Sequence, residues 1–173
     1  IMTRFFQTLI VFTFFASSIL SQQNDVKRYV SVTFDDLPMN TKYLEDGNQW
    51  IEQTQKLLST VKQYKIPAIG FVNEYKLYVN DVIDSSRLKA LQLWVDADLE
   101  LGNHTFSHPD YHNTENEEFF ADIIKGEKIT KGLISQKNKK LEFFRHPYLH
   151  TGNSLEKKKA LEDFLKQHNY TIA

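Results

Sequence analysis

Short runs rich in β-branched and aromatic residues alternate along this chain with longer amphipathic stretches, and that alternation limits the folds open to it. Residues 28–34 (RYVSVTF), 68–72 (AIGFV), 99–104 (LELGNH), 141–146 (LEFFRH) and 170–173 (YTIA) read as strands. Residues 48–65 carry Ile51, Thr54, Leu57, Leu58, Val61 and Tyr64 at helical spacing, and Pro67 ends that helix. Residues 85–97 place Leu88, Leu91 and Val95 on one face behind a serine cap. Residues 114–138 open on a Thr114-x-x-Glu117 capping pattern, with Phe120, Ile123, Ile124 and Leu133 on one side and Gly126 and Gly132 weakening the helix. Residues 154–169 form a last helix, with Leu161, Phe164 and Leu165 inward. Strand and helix in strict alternation predict βα units around a parallel sheet or barrel.

The N-terminus is a separate object. Arg4 precedes an apolar run at 9–15, and small residues follow at 16–18 and 21, the layout of a cleavable signal peptide over residues 1–21. The run is too short to span a bilayer, which needs about 20 residues, so no stable membrane insertion is expected once it is removed. Residues 22–173 then form one domain, and the sequence predicts export to a bacterial periplasm or the exterior. A net charge of −1 gives no electrostatic case for nucleic acid. With no cysteine in the chain, disulfides, thiolate ligands and a cysteine nucleophile are all excluded. Nothing in the composition sets an oligomeric state.

In parallel α/β folds function gathers at the carboxyl ends of strands. Three polar clusters fall there: Asp35-Asp36 after the first strand, His104 to His108 after the third, and Arg145-His146-Pro147-Tyr148 after the fourth. Adjacent carboxylates are often only a turn. If both work, they point different ways, so one can bind a metal while the other accepts a proton. Two imidazoles and a carboxylate leave positions open on a cation. His104 and His108 bracket TFS, which can wind into a turn with both rings on one face. Proline disfavours the alternative pairs His108/His112 and His146/His150, although spacing alone does not settle the choice. His112, His150 and His168 read as exposed or supporting histidines.

TFDD, NHTFSH and RHPY, in this order and spacing, resemble the first three motifs of the NodB-homology polysaccharide deacetylases, carbohydrate esterase family four, and TFDDLP resembles a bacterial subgroup. The resemblance covers nearly all of the chain after the signal. It implies an irregular (β/α) barrel and a hydrolase that uses a divalent cation to activate water against N- or O-acetyl groups of a glycan. It implies Asp35 as general base, Asp36, His104 and His108 as metal ligands, Arg145 as the partner of the base, and Tyr148 as the oxyanion-holding backbone position. Two histidines and a carboxylate suit zinc first, and also cobalt, manganese or iron. The family's fourth motif (an acid with tryptophan) and fifth (a histidine acid) have no visible counterpart, so the resemblance implies a domain incomplete at its C-terminus, with the general acid outside the chain. Two alternatives remain: a carbohydrate-binding protein of deacetylase ancestry, and a hydrolase of small amides or ureides on the same fold.

Overall fold

β1 (Val32–Leu37) starts four residues later than its sequence signal and runs through the two aspartates rather than stopping before them. The structure, a computed structural model, describes residues 27–39 and 46–173. The signal-peptide stretch at 1–21 lies outside the described residues. All the elements below belong to the unit Ser31–Ala173.

The chain continues through α1 (Gly47–Gln63), β2 (Ala68–Val72), a 3₁₀ turn (Glu74–Leu77), β3 (Tyr78–Val79), β4 (Val82–Ile83) and α2 (Ser85–Asp96). Then follow β5 (Glu100–Asn103), α3 (Asn116–Lys125), α4 (Lys128–Ser135), β6 (Phe143–Phe144), a 3₁₀ turn (Pro147–Leu149), α5 (Leu155–Gln167) and β7 (Thr171–Ile172). β1, β2, β5, β6 and β7 form one sheet in that order, and every pairing in it is parallel. Strand order follows chain order without a reversal. That is the progressive winding of a (β/α) barrel, not the doubly wound pattern with its central switch. The antiparallel β3–β4 pair is a small extra hairpin that the sequence pattern did not announce.

Helices cover the sheet because each presents an apolar stripe. α1 buries Trp50, Thr54, Leu58 and Val61 and packs on α2, which buries Ala90, Leu91, Trp94 and Val95. Tyr64, expected inward, is exposed, because α1 ends one residue before it. The cap of α2 is Asp84, whose carboxylate accepts the Arg87 N–H at 2.9 Å; the expected serine sits inside the first turn. The expected single helix at 114–138 is two. Gly126 ends α3 and α4 restarts at Lys128, burying Phe119, Ile123, Thr130, Leu133 and Ile134 between them. Thr114 does not cap α3; its hydroxyl donates to the Asp110 carbonyl at 2.8 Å. α5 begins as expected, with Ser154 accepting the Lys157 N–H. Among the described residues, no helix is long and apolar enough to cross a membrane.

Candidate metal centre

The site is built on a bulge. Phe34 pairs with Gly70 and Leu37 with Val72, so three steps on β1 oppose two on β2. The extra residue bends the strand and re-aims its side chains, a device common beside active sites. Asp36 takes a left-handed backbone, φ 67°, and its carboxylate turns toward the end of β5.

His104 follows β5 directly, but the expected helical turn over 104–108 is absent: the segment is a pair of bends. His108 reaches His104 because Thr105 and His108 both adopt positive φ, 68° and 62°. The segment is held from several sides. The Asn103 carboxamide oxygen accepts the Thr105 N–H at 2.7 Å, and the Thr105 hydroxyl accepts the His108 N–H at 3.0 Å. Asn73, at the end of β2, donates from its side chain to the His104 carbonyl. From α3, the Asp122 carboxylate accepts both the N–H and the hydroxyl of Ser107. The two imidazole rings end 4.8 Å apart.

Asp36, His104 and His108 each offer a ligand atom, and these atoms lie within 4.8 Å of one another. His104 Nδ1 stands 2.7 Å from the Arg145 carbonyl, which can only accept; the ring therefore carries its proton on Nδ1 and leaves Nε2 free. Burial holds both imidazoles below their usual pKa, so they are neutral near pH 7, as metal ligation requires. One carboxylate and two neutral imidazoles fit a divalent transition cation.

Asp35 is exposed, and Arg145 Nε lies 4.0 Å from its Oδ1. That distance is an ion pair, not a hydrogen bond. Arg145 is anchored elsewhere: Nη2 donates to Thr33 at 3.2 Å, and the guanidinium lies 4.9 Å over the Phe71 ring. Its Nε is buried and makes no hydrogen bond, so a buried donor is available next to Asp35. Tyr148 is 60% exposed, with φ 55°, and its ring packs 4.5 Å from that of His108. All six residues singled out in the sequence thus meet at one end of the sheet.

Sequence reasoning missed three supports. Lys76 is buried in the 3₁₀ turn, and its ammonium donates at 3.1 Å to both the carbonyl and Oδ1 of Asp36. Burial lowers the Lys76 pKa, opposed by the Asp36 charge. Asn73 and Asp122 brace the histidine segment. Asn73 could have been found by applying the strand-end rule to β2; Lys76 and Asp122 carry no local signal. A cleft beside the centre is lined by Tyr75, Tyr78, Asn80, Asp81, Phe106 and Lys125.

The family model for polysaccharide deacetylase matches residues 22–172. The chain is 28% identical over 127 residues to a peptidoglycan-N-acetylglucosamine deacetylase of Bacillus cereus, covering 70% of this chain and 37% of that protein. Its fold is similar to a family 4 carbohydrate esterase from Streptomyces lividans solved with acetate: TM-score 0.57, 21% identity, 84% of this chain and 61% of that one. It is also similar to a mutant of a CE4 family pseudoenzyme from Bacillus anthracis with restored enzymatic activity, with TM-score 0.60, 24% identity, and 86% of this chain against 45% of that one. The chain therefore spans less than two thirds of each of these proteins. Motif order, a progressively wound parallel sheet and a family match over almost all of the chain agree: it belongs to the polysaccharide deacetylase family.

Proposed function

We propose that this protein hydrolyses acetyl groups from a glycan, with Asp36, His104 and His108 holding one divalent cation, zinc by preference. The observation that carries this reading is the convergence of those three ligand atoms within 4.8 Å, next in sequence to a second carboxylate, Asp35, ion-paired with Arg145. A cation held there would polarise an acyl oxygen and make water acidic enough to attack near neutral pH.

The chain's own groups supply a base and an oxyanion donor; when the intermediate collapses, the C–N or C–O bond to the sugar breaks and the departing amine or hydroxyl takes a proton from Asp35 or from solvent. Asp35 takes the proton from the attacking water as the new C–O bond forms. The guanidinium of Arg145, 4.0 Å from Asp35, is placed to orient the carboxylate for that role. The tetrahedral intermediate places negative charge on the former carbonyl oxygen. The Tyr148 backbone N–H is the proposed donor to it; the residue has a left-handed φ of 55° and its ring packs against that of His108. Losing one such donor typically costs about 3 kcal/mol of transition-state stabilisation. The neighbouring cleft has aromatic walls with polar groups between them, which suits the mixed apolar and hydroxyl faces of a sugar ring. A Bacillus cereus relative named for peptidoglycan N-acetylglucosamine favours an acetylated cell-surface glycan. A signal peptide at 1–21 would place the protein where such a polymer lies.

The competing reading is a binding protein on a deacetylase scaffold. Binding alone has no use for Asp35 in the field of Arg145, which favours catalysis. Calorimetry with zinc and acetate release from chitin oligomers, acetylxylan and peptidoglycan fragments test the proposal together. Asp36→Ala should abolish zinc uptake at this centre. Asp35→Asn should bind zinc as the wild type does and release acetate at least about 100-fold more slowly. Wild-type protein that binds zinc and releases no acetate from any of the three polymers would establish the binding protein instead.

A further inference from the structure

The loops after β5 and β6 meet a second time, away from Asp36, and we propose that Asp110, His112 and His150 form a second divalent-cation site there. Their ligand atoms lie within 4.8 Å of one another. The inference stands on these three residues and is independent of the deacetylase reading.

The ligands come from two loops that are already tied together. Asp110 and His112 follow the first-site histidines, while His150 follows Tyr148. His150 Nδ1 lies 2.5 Å from Asp110 Oδ1, and His112 donates its backbone N–H to the same oxygen at 2.9 Å. The other Asp110 oxygen accepts from the Asn113 side chain at 2.6 Å. Across the gap, the Asn153 side chain donates to the His112 carbonyl at 2.8 Å. The carboxylate is thus oriented by groups around it. A cation bound by Asp110 and His150 together would replace the hydrogen bond between Oδ1 and Nδ1, with His150 ligating through Nδ1 and carrying its proton on Nε2.

The two imidazoles lie face to face, with centroids 3.7 Å apart and planes 1° from parallel. A cation held between them would require the rings to tilt out of that stack. All three residues are half-buried, so the cation keeps water ligands and loses little hydration. Two imidazoles select zinc, nickel or copper over magnesium and calcium, which prefer all-oxygen sites.

The position gives the cation a structural task. The Tyr148 ring lies 5.8 Å from His150 on one side and 4.5 Å from His108 on the other. A cation linking His112 to His150 clamps the loop that carries Tyr148 against the loop that carries the first-site histidines.

The test is zinc stoichiometry of the full chain, by dialysis against zinc chloride and elemental analysis. The proposal expects about two equivalents in the wild type and about one in the His112→Gln/His150→Gln double variant. His150→Asn, whose amide keeps a hydrogen bond to Asp110, should lose the same equivalent, and circular dichroism should show both variants folded as the wild type is. Asp36→Ala should keep the equivalent that the double variant loses. A wild type with about one equivalent, lost in Asp36→Ala, would overturn the second site. So would about two equivalents that survive in the double variant. About one equivalent lost only in the histidine variants would support this site and count against the first.

Discussion

Lys76 sits in the centre of the site without belonging to any of the three motifs. The Lys76 side chain is 7% exposed, and its ammonium touches the carboxylate proposed to hold the cation. Two positive charges then compete for Asp36. Coulombic repulsion between unit charges about 5 Å apart is on the order of 3 kcal/mol at an effective dielectric of about 20. Lys76→Met should therefore raise zinc affinity on the order of 100-fold in calorimetry. The same change leaves Asp36 without its partner in the metal-free protein, so metal-free stability should fall by about 1–3 kcal/mol and recover on adding zinc. Weaker zinc binding in Lys76→Met would show instead that the ammonium is needed to orient the carboxylate.

The elements around the centre explain a glycine that the sequence pattern read only as a weak point. Gly126 ends α3 against the histidine segment. A Cβ there would lie 2.5 Å from Phe106 N and from the Thr105 carbonyl carbon, both backbone atoms that cannot step aside. Gly126→Ala should cost about 1–3 kcal/mol in urea unfolding and weaken zinc binding, because the displaced backbone carries His104 and His108. Gly132, read from the sequence in the same way, faces open space within α4. Gly132→Ala should stabilise by about 0.5–1 kcal/mol through helix propensity and leave zinc affinity unchanged. Equal effects of the two substitutions would remove the argument that α3 shapes the site. The helix break itself was legible only as two glycines. That one of them marks a close approach and the other does not depends on residues twenty positions away.

At the scale of the whole molecule, buried neutral histidines tie stability to pH. Burial, with His104, Arg145 and Lys158 nearby, pushes His146 down to about 4 from an ordinary 6.5. Between those values the unfolded chain binds more protons, so stability rises with pH there and flattens above about 6.5. Without added metal, His146 contributes roughly 3 kcal/mol to that rise, and His104 and His108 act in the same direction. Unfolding midpoints from pH 4 to 7 should show a shallower slope in His146→Leu than in the wild type; an unchanged slope would remove His146 from the account. The five parallel strands and most inward faces were legible because strand runs and helical spacing are local signals. The three motifs were legible because strand ends gather on one rim. The β1 bulge, the paired positive φ values that replace a helical turn, and the Asp110–His112–His150 cluster were not, because each depends on neighbouring elements. The most direct measurement is anomalous X-ray diffraction at the zinc edge from crystals of the full chain grown with zinc. The account predicts a peak about 2.0–2.2 Å from a carboxylate oxygen of Asp36, from His104 Nε2 and from a ring nitrogen of His108. Those three side chains ordered, separated and without a peak between them would contradict it.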